Sequence, residues 1–404
     1  MAENVTTEAV EVPYIAERGS AASRAIGRRL YPISLLLMAC LVVAGTAAGI
    51  HAKMIGSLEA YGASREIPWG ILISTYVFFV VTSTGLCLVS SIGHVFGVKA
   101  FGPIAKRSVF LAVATIIAGF FVIFFEIENP FRMAIYNVIS PNLTSNIWWM
   151  GTLYGAYMVF MAVEFLLLVK GKYAIATIAG FLGVVAGVAA HSNLGAVFGM
   201  LDGREFWYGP FMPIYFIASA MMSGCAAIIL FTWIGYKISG REMEADMKRA
   251  LALTTQVGIL LITVILFFTA WKFIIGFAGG EAKKMALEAL ISGPFAFNFW
   301  VLEIAVGMVI PLILFLKSRG RQIGLMVLAS AMMMFGIFFM RYDLVVVGQV
   351  VPVQYELEVV DYPGLLYYSP SIHEILVVLG GIGLAGLIFL LGERVFDGHK
   401  SEAH

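Results

Sequence analysis

Ten apolar stretches recur along this 404-residue chain, and at about 20 residues each they are long enough to cross the hydrocarbon core of a bilayer. They run Leu30–Ile50, Trp69–Val95, Ser108–Ile127, Ile147–Val169, Tyr173–His191, Phe211–Tyr236, Leu251–Phe277, Phe295–Leu316, Ile323–Met340 and Ile372–Val395. Lipid offers the backbone no hydrogen bonds, so spans of this length must be helices, and the sequence predicts an all-α integral membrane protein of ten transmembrane helices. Composition agrees, with 60% hydrophobic and only 13% charged residues. A net charge of +1 gives no reason to expect a nucleic-acid partner. The first run begins near residue 30 and lacks a small-residue cleavage pattern, so no cleavable signal peptide is expected.

The basic residues orient the spans. One set of alternate loops holds Arg18, Arg24, Arg28 and Arg29, then Lys99, Lys106 and Arg107, then Lys170 and Lys172. It continues with Lys237, Arg241, Lys248 and Arg249, then Lys317, Arg319 and Arg321, and ends with Arg394 and Lys400. These are 18 of the 26 basic residues, which puts both termini in the cytoplasm of a cell whose inner membrane the chain spans. The expected organisation is a cytoplasmic tail over residues 1–29, a membrane domain over 30–395 and a second cytoplasmic tail over 396–404. The outer connections, Ala52–Pro68, Glu128–Asn146, Ser192–Pro210, Ala278–Pro294 and Arg341–Ser371, are longer and rich in aromatic and carboxylate residues, which suits a lid or a docking platform as well as an interfacial aromatic belt.

Spans two to five lie over spans six to nine as an internal repeat, about 69–191 and 211–340. Ser83-Thr84-Gly85 falls on Met222-Ser223-Gly224, Asn146-Ile147-Trp148 on Asn298-Phe299-Trp300, and His191 on Arg341. With four spans each, the two bundles share one orientation about an axis along the membrane normal, and the first and tenth helices flank them. Glycines at helical spacing, among them Gly45 and Gly49, and Gly380, Gly383 and Gly386, permit close helix packing.

Three carboxylates interrupt this apolar background: Glu126, Glu164 and Glu303. A charge near the bilayer centre costs roughly 2.5–3.5 kcal/mol on insertion scales, so such acids face a partner or a polar route. Glu303 sits roughly 13 Å deep at 1.5 Å per residue, and Lys272 on the preceding helix about 8 Å from the outer end. A Glu303–Lys272 pair and a proton route through Glu126, Glu164 and Glu303 follow as expectations, against snorkelling of Glu164 and Lys272 to their nearer interfaces.

Cys40, Cys87 and Cys225 stand singly, without a Cys-x-x-Cys pair, and no helix carries two histidines. The expectation is therefore a chain with no bound haem, iron–sulfur cluster or metal of its own. Polar groups collect at the outer rim instead: Ser74 and Tyr76, Glu126 and Glu128, His191 and Asn193, and Asp202. They suit an amphipathic ligand such as a quinone, which needs donors for its carbonyl oxygens and a proton acceptor when its quinol is oxidised.

The whole chain resembles the NrfD/PsrC family, the membrane subunits of polysulfide-reductase-type complexes, in its ten-helix form that includes DsrP-like proteins of sulfur metabolism. The resemblance rests on Ile67-Pro68-Trp69-Gly70 opening a hydroxyl-rich helix, on the paired four-helix bundles, and on the stretch Arg341 to Gln349 followed by Tyr367-Tyr368-Ser369-Pro370-Ser371 and Glu374. It implies a cofactor-free subunit of a respiratory complex that exchanges electrons with menaquinone or ubiquinone. It also implies a ferredoxin-like iron–sulfur subunit on the periplasmic face, alongside other redox subunits, and a quinone site at that face in the first bundle near Trp69. Tyr76 falls where the short polysulfide-reductase type has a site histidine, which leaves Glu128, His191 or Asp202 as proton acceptor. A secondary transporter with a midplane acid, or a purely structural anchor for a redox partner, are the alternatives from other classes.

Overall fold

The computed structural model describes residues 21–353 and 364–396. The tails expected at 1–29 and 396–404, with Arg18 and Lys400, and the middle of the Arg341–Ser371 connection lie mostly outside these residues.

Among the described residues, ten helices are long and apolar enough to cross a membrane. They are α1 (Ala21–Ile55), α3 (Ile71–His94), α4 (Gly102–Glu126), α6 (Asn146–Val169), α7 (Tyr173–Gly199), α8 (Phe211–Ser239), α9 (Ala245–Phe277), a π-helical segment (Asn298–Val309) continued by α11 (Ile310–Ser318), α12 (Ile323–Val350) and α13 (Ile372–Val395). Short helices α2 (Ser57–Ala60), α5 (Pro130–Ile139) and α10 (Glu281–Ile291) lie in the connections. The chain is a multi-pass, all-α membrane protein. One face carries the long connections with α2, α5 and α10, and the other carries the short basic loops.

α3 and α8 cross at the centre. α3 packs on α4, α7, α8 and α12, while α8 packs on α9, α12, α7 and α3. At the crossing no side chain intervenes, because a Cβ on Gly85 would lie 1.8 Å from the Ala220 carbonyl oxygen and one on Gly224 would lie 2.2 Å from Gly85. These two glycines are the positions that the sequence repeat lays over each other. α1 and α13 pack together along one side, where a Cβ on Gly45 would fall 2.6 Å from the Gly380 Cα.

Two helices run further than the apolar pattern suggests. α7 continues past His191 to Gly199 and α12 past Arg341 to Val350. The polar residues that mark an apparent end there are buried against protein partners, so the helix needs no water to satisfy them; Arg341 is 0% exposed and Gln349 is 1% exposed. The ninth span and the connection after it therefore divide about ten residues later than Met340.

The eighth span is also irregular. Its outer half is wound as a π-helix, and the Ile310 N–H reaches the Ala305 carbonyl, five residues back. Pro311, which follows, has no N–H to donate to the preceding turn. The fourth span, its partner in the repeat, is an uninterrupted α-helix. A transporter built on paired broken helices would show the interruption in both halves.

At the basic face Arg107 of α4 donates from Nε to Glu393 Oε1 at 2.6 Å and from Nη2 to Oε2 at 3.0 Å, a bidentate pair tying α4 to α13. Its side chains are 0% and 6% exposed. Removing one partner of such a buried pair typically costs about 3–5 kcal/mol, whereas replacing both with apolar groups is often neutral. Arg107→Met should therefore lower the thermal unfolding midpoint in detergent clearly, and Arg107→Met with Glu393→Leu should restore most of it. A double variant no more stable than the single one would contradict this account.

Candidate functional site

Beneath the loop-rich face, a cavity of about 530 Å3 opens among α3, α4, α5, α6 and α7. That size suits a small organic ligand. Its walls are apolar, from residues such as Ile73, Phe120, Met150 and Leu194, and its polar groups are few: Tyr76, Glu126, Asn137 and the Trp69 indole. α5 forms one wall because Pro130 starts a ten-residue helix. Met133, Ala134 and Asn137 face the cavity, and Phe131, Ile135, Val138 and Ile139 face outward and are exposed. Gly155 of α6 lines the space, and a Cβ there would meet nothing within 4 Å.

Tyr76 is buried, and among the described residues its hydroxyl has no hydrogen-bond partner, so it is available to a ligand. Its ring meets Tyr154 edge to face at 6.5 Å. Glu126 ends α4 at the cavity rim. Lys53 of α1 donates to the backbone carbonyl of Ile127 beside it. Tyr61 donates to the Phe125 carbonyl at 3.0 Å, and burial raises its hydroxyl above the usual phenol range, helped by the Glu126 and Glu374 carboxylates.

Trp69 is held from the far end of the chain. Its N–H donates to Gln349 Oε1 at 3.0 Å, and its carbonyl accepts from Gln349 Nε2 at 2.8 Å. Its indole stacks on Trp207 at 5.5 Å. Tyr368 accepts from the Ile71 N–H at 2.8 Å and donates to Glu374 Oε1 at 2.7 Å. Burial raises the Tyr368 hydroxyl above its ordinary range, as does Glu374 beside it, so it remains the donor. Glu374 in turn closes a capping box with Ser371 at the start of α13. The Arg341–Gln349 and Tyr367–Glu374 stretches thus brace the first turn of α3 and, with it, the cavity wall.

The residues singled out from sequence divide sharply. Tyr76 and Glu126 line the cavity. Ser74 is buried and donates to the Gly70 carbonyl at 3.0 Å, within its own helix. Glu128 is exposed beside the rim. His191 lies behind the wall, its Nδ1 3.0 Å from the Tyr154 hydroxyl. Asn193 donates to the Asn146 carbonyl at 2.8 Å and ties α7 to α6. Asp202 lines a separate hollow of about 110 Å3 with Arg204, Phe206 and Pro352.

Glu164 does not snorkel. It is 1% exposed, and its Oε1 lies 3.2 Å from His94 Nδ1 near the basic face. Glu303 is buried on the π-helical segment. The Lys272 ammonium sits 3.7 Å from the centre of the Phe206 ring rather than in a contact ion pair with Glu303. Asn298 donates to Asp343 Oδ1 at 3.3 Å.

At the loop-rich rim of α1 and α13, His51 Nδ1 and His373 Nε2 are 2.9 Å apart in parallel rings.

Asn137, Met133 and Phe198 were not singled out from the sequence. A signal for α5 exists in Asn129-Pro130 followed by Phe131, Ile135, Val138 and Ile139 at helical spacing, which reads as a helix start and one apolar face. Phe198 becomes a wall residue because α7 extends past His191.

A family model described as polysulphide reductase, NrfD, matches residues 59–353. The chain is 27% identical over 379 residues to an Hdr-like menaquinol oxidoreductase integral membrane subunit of Archaeoglobus fulgidus, covering 90% of this chain and 93% of that one. It is 26% identical to a selenate reductase subunit of Mesobacillus selenatarsenatis, covering 85% and 88%. A NrfD homolog of Haemophilus influenzae is 30% identical over 166 residues, 39% of this chain and 49% of that one. The match takes in the cavity, both bundles and the Arg341–Gln349 stretch, and the chain belongs to the polysulphide reductase NrfD family.

Proposed function

We propose that this chain is the quinone-exchanging membrane subunit of a respiratory oxidoreductase complex, with the cavity behind α5 as the quinone site. The observation that carries this reading is an apolar cavity of about 530 Å3 in the first bundle whose walls present Tyr76 and Glu126. A menaquinol oxidoreductase subunit among the relatives supports the ligand class. In a quinol-oxidising direction the ring lies between α3 and α6 and the isoprenoid tail leaves toward lipid past α5. Tyr76 hydrogen-bonds one ring oxygen. Glu126 replaces Glu128, His191 and Asp202 as the first proton acceptor, being the carboxylate on the wall. Two electrons pass to an iron–sulfur cluster of a partner seated on the loop-rich face, which is then periplasmic, with the basic face and both termini on the cytoplasmic side of the inner membrane.

The two bundles take different tasks in this reading, as copies of one four-span unit. The first holds quinone. The second, with Glu303, Lys272 and Asp343 inside it, extends the proton route that also includes Glu164. A purely structural anchor would not need an apolar cavity presenting a buried, unpartnered hydroxyl.

Filling the cavity gives the clearest test. Gly155→Phe points into open space, so the purified complex should keep its assembly and lose quenching by a fluorescent quinol analogue; undiminished binding would remove the site. Glu126→Gln should retain binding and lower quinol turnover by about 100-fold, the lower range for general acid–base groups. Turnover at the wild-type rate would exclude Glu126 as acceptor. In proteoliposomes Glu303→Gln should reduce proton uptake per quinol oxidised, and unchanged oxidation together with unchanged uptake would end the proton route.

A further inference from the structure

The two positions that the sequence repeat equates, His191 and Arg341, meet at a single backbone carbonyl. His191 Nε2 lies 3.1 Å from the Phe216 oxygen. Ser219 Oγ donates to that same oxygen at 3.0 Å and accepts from Arg341 Nη2 at 2.6 Å. The Arg341 side chain is fully buried, with its guanidinium carbon 5.1 Å from the centre of the Phe216 ring. Its Nε and Nη1 have no hydrogen-bond partner among the described residues, so Ser219 is the one hydrogen-bond anchor of this cation.

Donor and acceptor chemistry sets the direction of every link. A carbonyl only accepts, so His191 carries hydrogen on Nε2. In the neutral ring Nδ1 is then the acceptor, and the Tyr154 hydroxyl, 3.0 Å away, donates to it. Ser219 has one hydrogen; a cationic donor occupies its lone-pair side, which turns that hydrogen onto the Phe216 oxygen. The resulting chain runs from Arg341 through Ser219, the Phe216 carbonyl and His191 to Tyr154, whose ring meets Tyr76 on the cavity wall.

We infer that Arg341, supplied by the second bundle, is a positioning residue for the quinone site of the first, acting through Ser219, the Phe216 carbonyl, His191 and Tyr154 to hold Tyr76 in place against the quinol. This rests on the quinone reading above. Every link leaves His191 neutral, with its Nε2–H on the Phe216 oxygen and its Nδ1 accepting from Tyr154, and the Tyr154 ring so held meets Tyr76 edge to face at 6.5 Å on the cavity wall. The ring-holding link is the part that belongs to the other bundle.

The test uses the intact complex and steady-state oxidation of a soluble menaquinol analogue. Ser219→Ala removes the link without deleting a charge, and it should lower kcat about tenfold, the equivalent of one net hydrogen bond near 1.4 kcal/mol, with KM within about twofold. His191→Phe should lower kcat at least as much. The double variant should be no slower than His191→Phe alone, because both changes break one chain. Multiplying effects, a change in KM alone, or an unaffected Ser219→Ala enzyme would overturn the inference. A wild-type complex that neither binds nor oxidises quinol would overturn the quinone reading and this inference with it, whereas binding with multiplying effects would overturn the inference alone.

Discussion

The crossing of α3 over α8 is the contact on which the rest of the molecule depends. Gly85 and Gly224 bring two backbones together with no side chain between them, so the bundles share one interior rather than two separate ones. Lipid tails give helices no hydrophobic reason to associate, and such close packing supplies the van der Waals contact that substitutes for it. α3 is consequently buried along most of its length and touches helices of both bundles. The same helix begins at the Trp69 wall of the cavity. Its rigidity, enforced from α12 by Gln349 and from the α13 connection by Tyr368, is what keeps that wall in place.

Polar groups in this interior have been sorted by whether a partner lies within reach. Arg107 and Glu393 pair through two hydrogen bonds, and Glu164 lies 3.2 Å from His94. Their cost is offset locally, and they fix helices at the basic face. Tyr76 and Glu126 differ in that their polar atoms are turned toward a cavity. A buried polar group without a partner is expensive, and a ligand that supplies one accounts for the Tyr76 hydroxyl.

Much of this was legible in the sequence. Apolar run length established ten spans, and the glycine alignment between the two halves marked Gly85 and Gly224, which prove to touch. Tyr76 and Glu126, both singled out from the sequence, line the cavity. Other features were hidden for definite reasons. Period and polarity place a helix end at the first charged residue, yet Arg341 and Gln349 lie inside α12 because their partners are in distant elements. Asp202 and Asn193 lie toward the same face as Tyr76 but turn to other surroundings, and residue counting conveys the face and not the direction. The ten residues of α5 are too short to register as a span, although they form a wall of the cavity.

What the chain determined by itself was its relation to the bilayer: helical spans, their number, the sidedness of their charges and the small residues that let them pack. These follow from local chemistry, since each span must satisfy its own backbone wherever its neighbours lie. Only the tertiary structure decided which polar residues face a cavity and which face one another, that Glu164 belongs to His94, and that Arg341 reaches the Ser219 hydroxyl beside His191. Those outcomes depend on the rotation of each helix about its axis. Rotation is set by packing against neighbours far away in sequence, as at Gly85 and Gly224, and no single span contains that information.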